Sequence, residues 1–558
     1  MKASDLLVKC LEEEGIEYIY GLPGEENADF MMSLKKSKKI KFVLCRHEQG
    51  AAFMADVYGR LTGNPAVCLG TLGPGATNLV TGVADANMDR APMIVLTGQA
   101  DTRRMHKESH QVMDTVNMFQ PITKWNVSIA HPDNIPEIVR KAVKVARTEK
   151  PGACHIELPE DIAKQDSSIS PFPVKRTRRP YPDPKAIKEA IAVIESADHP
   201  VVLAGNGCVR KRVSKQLRNF VNYTGMGAIN TFMAKGAIPR NDPHCLYTMG
   251  LQSRDHISLE MEKADLVIAV GFDMVEYHPC LWNKGNEKKI INIDFLPYEI
   301  DINYQVRVDI HADIAASLWE LNQYFKNRSS LLDPDCYASV RRIMMEDFSQ
   351  YKDDKTKPLI KPQKVLWDVR EVMGPGDILL SDVGAHKMWI ARYYQCDEPN
   401  TCLISNGFST MGFALPGALA AKQVFPEKKV LAICGDAGGL MNIQDLETAV
   451  RMGINMVVMI WEDHEYGLIK WKQQDQFQDH TDLKFTNPDF VKLAEAFGCW
   501  GKKVKCSSDI KSNLEEAFNC GKPAVLTLDI DYKENMKLTE HLGRIITSDW
   551  SWASSPSA

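Results

Sequence analysis

Residues 428–471 constrain the fold more strongly than any other stretch of the chain. They contain two short apolar runs, at 430–434 and 456–461, separated by a glycine-rich turn and a helical pattern. Short apolar runs bounded by turns are typical of buried strands in a parallel sheet. We therefore predict a strand–helix–strand unit, with Asn442 as the expected cap of its helix.

Each strand of this unit is expected to deliver a carboxylate to the same edge of the sheet. Asp436 lies in the small-residue turn after the first run, and Asp463 follows the second run. Ligands of open α/β sheets bind at the carboxyl ends of the strands, and Mg²⁺ prefers oxygen ligands. The pattern therefore indicates a metal and phosphate site, with an ordinary unit carrying a solvated acidic turn as the alternative.

The same alternation of strands and helices extends along the chain. Apolar runs that end in glycine-rich or polar turns occur at 17–20, 41–45, 66–71, 93–97, 200–204, 264–270, 289–293 and 377–381. This pattern predicts an α/β fold made of three doubly wound parallel-sheet domains. Loop-like or polar segments at 167–184 and 327–362 are expected linkers, which sets the predicted domains at 1–165, 187–330 and 360–545.

Composition argues against several classes of protein. A net charge of −5 gives no general attraction to nucleic acid or acidic membranes. Charged residues interrupt the first 15 positions, where a signal peptide would need an apolar core, and no long apolar run follows. The 14 cysteines include no C-x-x-C pair, which suits free thiols in a reducing compartment. We expect a cytoplasmic protein without nucleic-acid or membrane partners, and a frayed tail at 550–558.

Motifs in the last predicted domain resemble those of thiamin diphosphate (ThDP) enzymes. The turn at 435–439 is similar to the GDG motif of that family, with Ala437 in place of a glycine. Glu462-Asp463 stands where the family carries an asparagine pair. The D-V-G-x-H sequence at 382–386 and the segment 405–412 resemble two further parts of the diphosphate-binding domain.

The first predicted domain carries the matching half of the resemblance. R-H-E-Q-G-A at 46–51 and G-P-G-A-T-N at 73–78 resemble the pyrimidine-binding domain of ThDP enzymes. The resemblance covers residues 1 to about 545 and is weakest in the middle domain. No G-x-G-x-x-G follows a strand there, so the motif of a dinucleotide site is absent.

The resemblance implies roles for individual residues. Glu48 would bond N1′ of the aminopyrimidine and activate the cofactor, and Met411 would support the bent cofactor from below. Mg²⁺ would be held by Asp436, Asp463 and the main-chain carbonyl of Glu465. The whole cofactor-binding set that we predict is Gly24, Glu48, Gly73, Asn78, Gly384, His386, Ser409, Met411, Gly435, Asp436, Ala437, Gly438, Asp463, Glu465, Tyr466, Gly467 and Leu468.

Other segments resemble the acetolactate synthases, and among them the catabolic enzymes that lack FAD. Gln111, which we predict as a catalytic residue, stands where that family has a glutamine of the substrate pocket, and residues 119–125 and 271–279 are also similar. The resemblance implies a ThDP- and Mg²⁺-dependent carboligase that decarboxylates pyruvate and adds the hydroxyethyl unit to a second pyruvate, giving 2-acetolactate. It also implies a homodimer or homotetramer with active sites at the subunit interface, and no FAD.

Alternatives within and outside this reaction remain open. Glu26 is an acid where many catabolic enzymes carry a lysine, and Glu25 and His110 lie near the positions of catalytic groups in pyruvate decarboxylases. The nearest rival is therefore a 2-oxo acid decarboxylase that does not ligate. A flavin oxidase and a catalytically silent scaffold are further alternatives. A scaffold, however, has no need to retain all four of Glu48, Met411, Asp436 and Asp463.

Overall fold

The computed structural model describes residues 1–175, 177–250, 256–535 and 538. Within them the chain forms three six-stranded sheets whose paired strands all run parallel. This confirms the α/β class and the three doubly wound domains. The domain boundaries remain predictions, and both the predicted end at 545 and the tail at 550–558 lie outside the described residues.

The first domain is built on a sheet that is buried by helices. Its strands are β1 (Tyr18–Gly21), β2 (Lys41–Leu44), β3 (Ala66–Gly70), β4 (Met93–Gln99), β5 (Trp125–Ser128) and β6 (Ala153–Pro159). Its helices are α1 (Ala3–Glu13), α2 (Ala28–Leu34), α3 (Glu48–Thr62), α4 (Pro74–Met88), α5 (Thr115–Phe119), α6 (Ile135–Arg147) and α7 (Glu160–Lys164). The strand order β2-β1-β3-β4-β6-β5 reverses between β1 and β3, and a crevice forms at such a point.

The middle domain has a different strand order. Its strands are β7 (Pro200–Ala204), β8 (Ala228–Asn230), β9 (Cys245–Thr248), β10 (Leu266–Val270), β11 (Lys289–Asp294) and β12 (Val306–His311). Its helices are α8 (Pro184–Glu195), α9 (Lys211–Thr224), α10 (His256–Lys263) and α11 (Ile314–Phe325), and α12 (Ala338–Ser349) follows them. The order β12-β11-β10-β7-β8-β9 is that of doubly wound sheets that bind dinucleotides, with the reversal between β7 and β10.

The third domain repeats the topology of the first. Its strands are β13 (Ile378–Ser381), β14 (Cys402–Ile404), β15 (Val430–Gly435), β16 (Val457–Glu462), β17 (Trp500–Lys503) and β18 (Ala524–Asp529). Its helices are α13 (Pro362–Val372), α14 (Ala385–Tyr393), α15 (Ala414–Val424), α16 (Asp436–Met441), α17 (Asp445–Met452), α18 (Gly467–Phe477), α19 (Phe490–Ala496) and α20 (Ile510–Asn519). The order β14-β13-β15-β16-β18-β17 reverses between β13 and β15.

The connection between β15 and β16 differs from the prediction. Instead of a turn and one helix, a short α16 begins directly after the strand at Asp436, and α17 follows. The prediction that Asn442 caps the helix is wrong, because Gln444 holds the cap position of α17. The Asn442 side chain instead donates a hydrogen bond to the Gly412 carbonyl over 2.8 Å. Its amide therefore ties this connection to the segment 405–412.

Helix α3 lies between the first and third domains. Gly417 of α15 allows close approach, because a Cβ there would lie 2.8 Å from Val57 Cγ2. Phe53 packs edge-on against Phe413, with ring centroids 5.8 Å apart, and such pairs add about 0.5–1.5 kcal/mol beyond area burial. One apolar core consequently spans both domains and fixes their relative position.

No membrane-spanning candidate occurs in the described ranges, where every helix is too short or too polar to cross a bilayer.

Candidate active site

A cavity of about 230 Å³ opens at the carboxyl edge of the third sheet, where its strand order reverses. Of the predicted cofactor-binding residues, it is lined by Gly384, His386, Ser409, Met411, Gly435, Asp436, Ala437, Gly438, Asp463, Glu465, Tyr466, Gly467 and Leu468. Val383, Ala385, Ile469 and Tyr532 complete the lining. Within the described part of the chain, all of these residues belong to the third domain.

The Asp436 carboxylate is held in one orientation at the start of α16. Its Oδ2 accepts hydrogen bonds from the backbone amides of Asp463, over 3.1 Å, and His464, over 2.8 Å. The Asn487 side chain donates to the same oxygen over 2.8 Å, while Oδ1 accepts from the Ala437 amide. Asn487 was not predicted from the sequence, because it lies 51 positions after its partner in a loop without a motif.

Asp463 faces Asp436 at the end of β16. Burial, together with the neighbouring Asp436 carboxylate, raises the pKa of the Asp463 carboxyl to about 8. Gly467 leaves room for this group, since a Cβ there would lie 2.6 Å from Asp463 Oδ2. A buried carboxylate beside a half-buried one fits a divalent cation, which would offset their repulsion.

The Glu465 side chain is engaged in an ion pair, so its main-chain carbonyl is the group that could bind a metal in the cavity. Its carboxylate is paired with the Lys470 ammonium over 2.8 Å. Its carbonyl accepts a hydrogen bond from the Gly467 amide over 2.9 Å and keeps a second lone pair. Glu462, which directly precedes Asp463, forms an ion pair with Lys503 over 3.4 Å.

His386 supplies a neutral imidazole beside two glycines. Burial lowers the pKa of His386 to about 3, and its Nε2 has no hydrogen-bond partner among the described residues. Added Cβ atoms on Gly384 and Gly435 would lie 3.0 and 3.2 Å from its Cε1. Helices α14 and α18 also begin at this cavity, and helix N-termini favour phosphate groups. The residues present therefore fit a diphosphate.

The predicted pyrimidine-side residues gather elsewhere, at the carboxyl edge of the first sheet. Glu48 is buried at the start of α3, and its Oε2 accepts a hydrogen bond from Asn78 over 3.0 Å. Gly73 has φ 54°, and a Cβ there would lie 3.0 Å from the Cβ of Gln111. Gly24 lies on the same edge, where its amide donates to Asn27 over 2.8 Å. These residues form a second group that does not line the third-domain cavity.

Thr71 is a further member of this second group that the sequence reasoning missed. Its hydroxyl donates to Glu26 Oε2 over 2.9 Å. A Cβ on Gly75 would lie 2.9 Å from Thr71 Cγ2 and 3.5 Å from Glu48 Oε1. Glu26 is therefore held on the same edge as Glu48, whereas Glu25 is exposed.

Family models match the chain in three places. The N-terminal TPP binding domain of thiamine pyrophosphate enzymes matches residues 1–118, the central domain residues 187–321, and the C-terminal TPP binding domain residues 382–528. Thiamine pyrophosphate is another name for ThDP. The fold, the site and the family models thus define the chain as a thiamine pyrophosphate enzyme.

Curated relatives narrow the class. Acetolactate synthase of Bacillus subtilis is 32% identical over 96% of this chain and 94% of the relative. The catabolic acetolactate synthase of Raoultella terrigena is 32% identical over 97% and 98%. A probable acetolactate synthase large subunit of Methanocaldococcus jannaschii is 34% identical over 98% and 94%. The chain belongs to the acetolactate synthase family of thiamine pyrophosphate enzymes, which confirms the resemblance.

Proposed function

We propose that the chain is a ThDP- and Mg²⁺-dependent carboligase that forms 2-acetolactate and CO₂ from two molecules of pyruvate. The observation that carries the proposal is the third-domain cavity, in which paired carboxylates, a neutral histidine and Met411 surround a space suited to a diphosphate. The activity named for the relatives in Bacillus subtilis and Raoultella terrigena supports the same reaction. Product identification after incubation with pyruvate, ThDP and Mg²⁺ tests it.

The chain's residues would hold the cofactor and its metal. Asp436, Asp463 and the carbonyl of Glu465 are the proposed Mg²⁺ ligands, and His386 would contact the diphosphate. When bound, ThDP supplies the nucleophilic carbon and the electron sink through which a 2-oxo acid loses CO₂. Met411 would support the cofactor, and this enforced proximity is where the protein contributes to the rate.

Glu48 is the proposed proton-handling group. Its side chain is buried, and Asn78 fixes one carboxylate oxygen, which leaves the other to hold a proton against a ring nitrogen of the pyrimidine. Gln111 lies against Gly73 at the same edge, with φ 59°, and would contact the substrate. Glu48 would thus move a proton, and Gln111 would orient the 2-oxo acid substrate.

We infer that each cofactor is bound by residues of two chains. The pyrimidine-side residues lie in the first domain, while the described lining of the diphosphate cavity comes from the third domain alone. A homodimer would bring the first domain of one subunit to the third domain of its partner, and two-fold symmetry would create two equivalent sites. Homotetramers would pair such dimers.

Mixing two inactive variants tests the shared site. Subunits carrying Glu48→Gln and subunits carrying Asp436→Ala should each be nearly inactive alone. Their mixture should regain activity, because one of the two sites in each mixed dimer would be intact. The measurement is the rate of pyruvate consumption after subunit exchange. A mixture that exchanges subunits and stays inactive would contradict the shared site.

We also propose that the middle domain takes no FAD, because Glu276 occupies the anion position of its sheet. At the reversal between β7 and β10, Glu276 Oε1 accepts from the Asn206 amide over 2.9 Å and from the Asp273 amide over 3.2 Å. Thr231 donates to its other oxygen over 2.5 Å, and burial raises the pKa of Glu276 to about 8. In other sheets with this strand order, the phosphates of a bound dinucleotide lie at the corresponding position.

Flavin and ADP binding provide the test of this second proposal. The purified wild-type protein should show no visible flavin absorbance and no heat of ADP binding by calorimetry. Glu276→Ala frees the two backbone amides and should give measurable ADP binding, while Glu137→Ala, an exposed acid in the first turn of α6, should not. Flavin that copurifies with the wild-type protein would refute the proposal.

One observation favours the rival reaction, decarboxylation without ligation. Thr71 holds the Glu26 carboxylate on the edge where an acceptor would approach, and a negative charge there repels a second 2-oxo acid. Acetaldehyde as the main product of pyruvate turnover would establish this alternative.

We further propose a cytoplasmic location. None of the 14 cysteines, all of which lie within the described residues, forms a disulfide, and most are buried, which suits a reducing compartment.

A further inference from the structure

The segment that carries Met411, residues 405–412, is held from two sides by buried charged groups. We call this segment the Met411 loop. Its Ser409 and Met411 line the cavity, whereas the charged groups that hold it are not among the lining residues. Ser409 has φ 53°, a conformation that a non-glycine residue adopts only at a cost. The loop therefore needs support from its surroundings.

The first support comes from helix α4 of the first domain of the same chain. Asp89, at the end of this helix, accepts two backbone hydrogen bonds from the loop. Its Oδ2 binds the Asn406 amide over 2.8 Å, and its Oδ1 binds the Gly407 amide over 2.6 Å. Asp85, one turn earlier, accepts from the Ser405 hydroxyl over 2.6 Å. Two aspartates of the first domain thus fix the start of the loop.

Arg60 of α3 keeps these aspartates in place. Its guanidinium binds Asp89 over 3.0 Å and Asp56 over 2.6 Å, and its side chain is only 5% exposed. It also donates to the Ile404 carbonyl, directly before the loop, over 2.8 Å. Buried charges persist only when they are paired in this way, so breaking one member disturbs the others. Glu48 begins the same helix, about 18 Å away at 1.5 Å per residue.

The second support comes from Lys387 on α14, next to His386. Its ammonium donates to the Ser405 carbonyl and to the Ser409 hydroxyl, each over 3.0 Å. Burial lowers the pKa of Lys387 to about 8. The proposed reaction gives this lysine no task, and its ammonium bridges the start and the middle of the Met411 loop from the side of the third domain.

We propose that Asp89 and Lys387 are positioning residues that set Met411 against the cofactor, and that Asp89 does so within its own chain. The inference rests on the proposed function, in which Met411 supports ThDP. In this proposal the first domain has two separate roles. Glu48 would serve the cavity of the partner subunit, whereas Asp89 would serve the cavity of its own subunit. Each first domain would therefore contribute to both sites of a dimer.

Asp89→Asn is the first test, because it keeps the size of the side chain but exchanges one acceptor for a donor that faces an amide. Exchange of the Asn406 and Gly407 amide hydrogens should become faster in the cofactor-free protein. The kcat of the loaded protein should fall by about 10²-fold, the loss typical of a small misplacement in a site. Asp183→Asn, which also removes a carboxylate that binds a backbone amide, should change neither. Unchanged amide exchange and unchanged kcat for Asp89→Asn would overturn the proposal.

Mixed dimers test whether Asp89 acts within its own chain. Asp89→Asn mixed with Glu48→Gln should regain activity, since one site would combine an intact Glu48 with an intact loop. Asp89→Asn mixed with Asp436→Ala should stay inactive, because both changes damage the third-domain side of a site. The opposite pattern would overturn the assignment to the same chain.

Lys387→Met provides a second variant that disturbs the loop without touching the first domain. It should regain activity with Glu48→Gln and not with Asp436→Ala, in the same way as Asp89→Asn. Recovery with Asp436→Ala would refute its role. The mixture of Glu48→Gln with Asp436→Ala tests the shared site separately from the role of Asp89. If that mixture fails together with the other mixtures that contain Glu48→Gln, the shared site is wrong, and amide exchange still decides whether Asp89 holds the loop.

Discussion

Glu48→Gln should leave ThDP bound and lower kcat by about 10²- to 10⁴-fold, the usual contribution of general-base assistance. The amide matches the shape of the carboxylate and keeps an oxygen for the hydrogen bond from Asn78. It does not, however, hold the proton that the carboxylate holds against the pyrimidine. Exchange of the cofactor's C2 hydrogen, followed by proton NMR with ThDP saturating, measures this step directly.

The control for this change is a glutamate in the same kind of position. Glu137 also lies in the first turn of a helix but is exposed on α6. Glu137→Gln should leave C2 hydrogen exchange and kcat at their wild-type values. Unchanged exchange in Glu48→Gln would remove Glu48 from the proposed mechanism.

Asp436→Ala should weaken Mg²⁺ and ThDP together by more than about 100-fold. Loss of a group that merely orients a metal ligand costs about 10- to 100-fold, and loss of a ligand costs more. The change would also strand the donors of Asp463, His464 and Asn487, which all bind Asp436 Oδ2. Calorimetric titration of each ligand, with the other present and absent, measures the coupled loss.

Asp463→Asn should be tolerated, in contrast to Asp436→Ala. An amide oxygen still offers a ligand to Mg²⁺, and removing one negative charge relieves the repulsion by Asp436 that, together with the larger effect of burial, raises the pKa of Asp463. Asn487→Ala should weaken Mg²⁺ and ThDP binding more than Asp463→Asn and less than Asp436→Ala. The reason is that Asn487 orients Asp436 without contacting the metal. Loss of ThDP binding in Asp463→Asn, combined with retention in Asp463→Ala, would show that the ligand assignment is wrong.

The sequence predicts those parts of the site that lie at strand ends. Gly435, Asp436 and Asp463 follow apolar runs, and parallel strands bring their carboxyl ends to one edge whatever the rest of the chain does. Asn487 carries no such signal, because its contact with Asp436 depends on the path of a long loop. The same holds for Asp89, which meets the Met411 loop across 317 positions of sequence.

Strand order was also beyond the reach of local patterns. No glycine-rich fingerprint follows a middle-domain strand, yet β7 and β10 pair as they do in dinucleotide-binding sheets. Pairing between strands so far apart in sequence is decided by packing of whole helices and strands, and not by the residues of either strand alone. The anion position that this pairing creates, and its occupation by Glu276, therefore became visible only in the structure.

The amount of pyruvate consumed for each CO₂ released, measured together with product identity, tests the central claim most directly. Forming 2-acetolactate uses two molecules of pyruvate for every CO₂, because the second is added and not decarboxylated. We predict that ratio and that product for the wild-type protein with ThDP and Mg²⁺, with or without oxygen. One pyruvate for each CO₂, with acetaldehyde as the product or with oxygen consumed, would contradict the account.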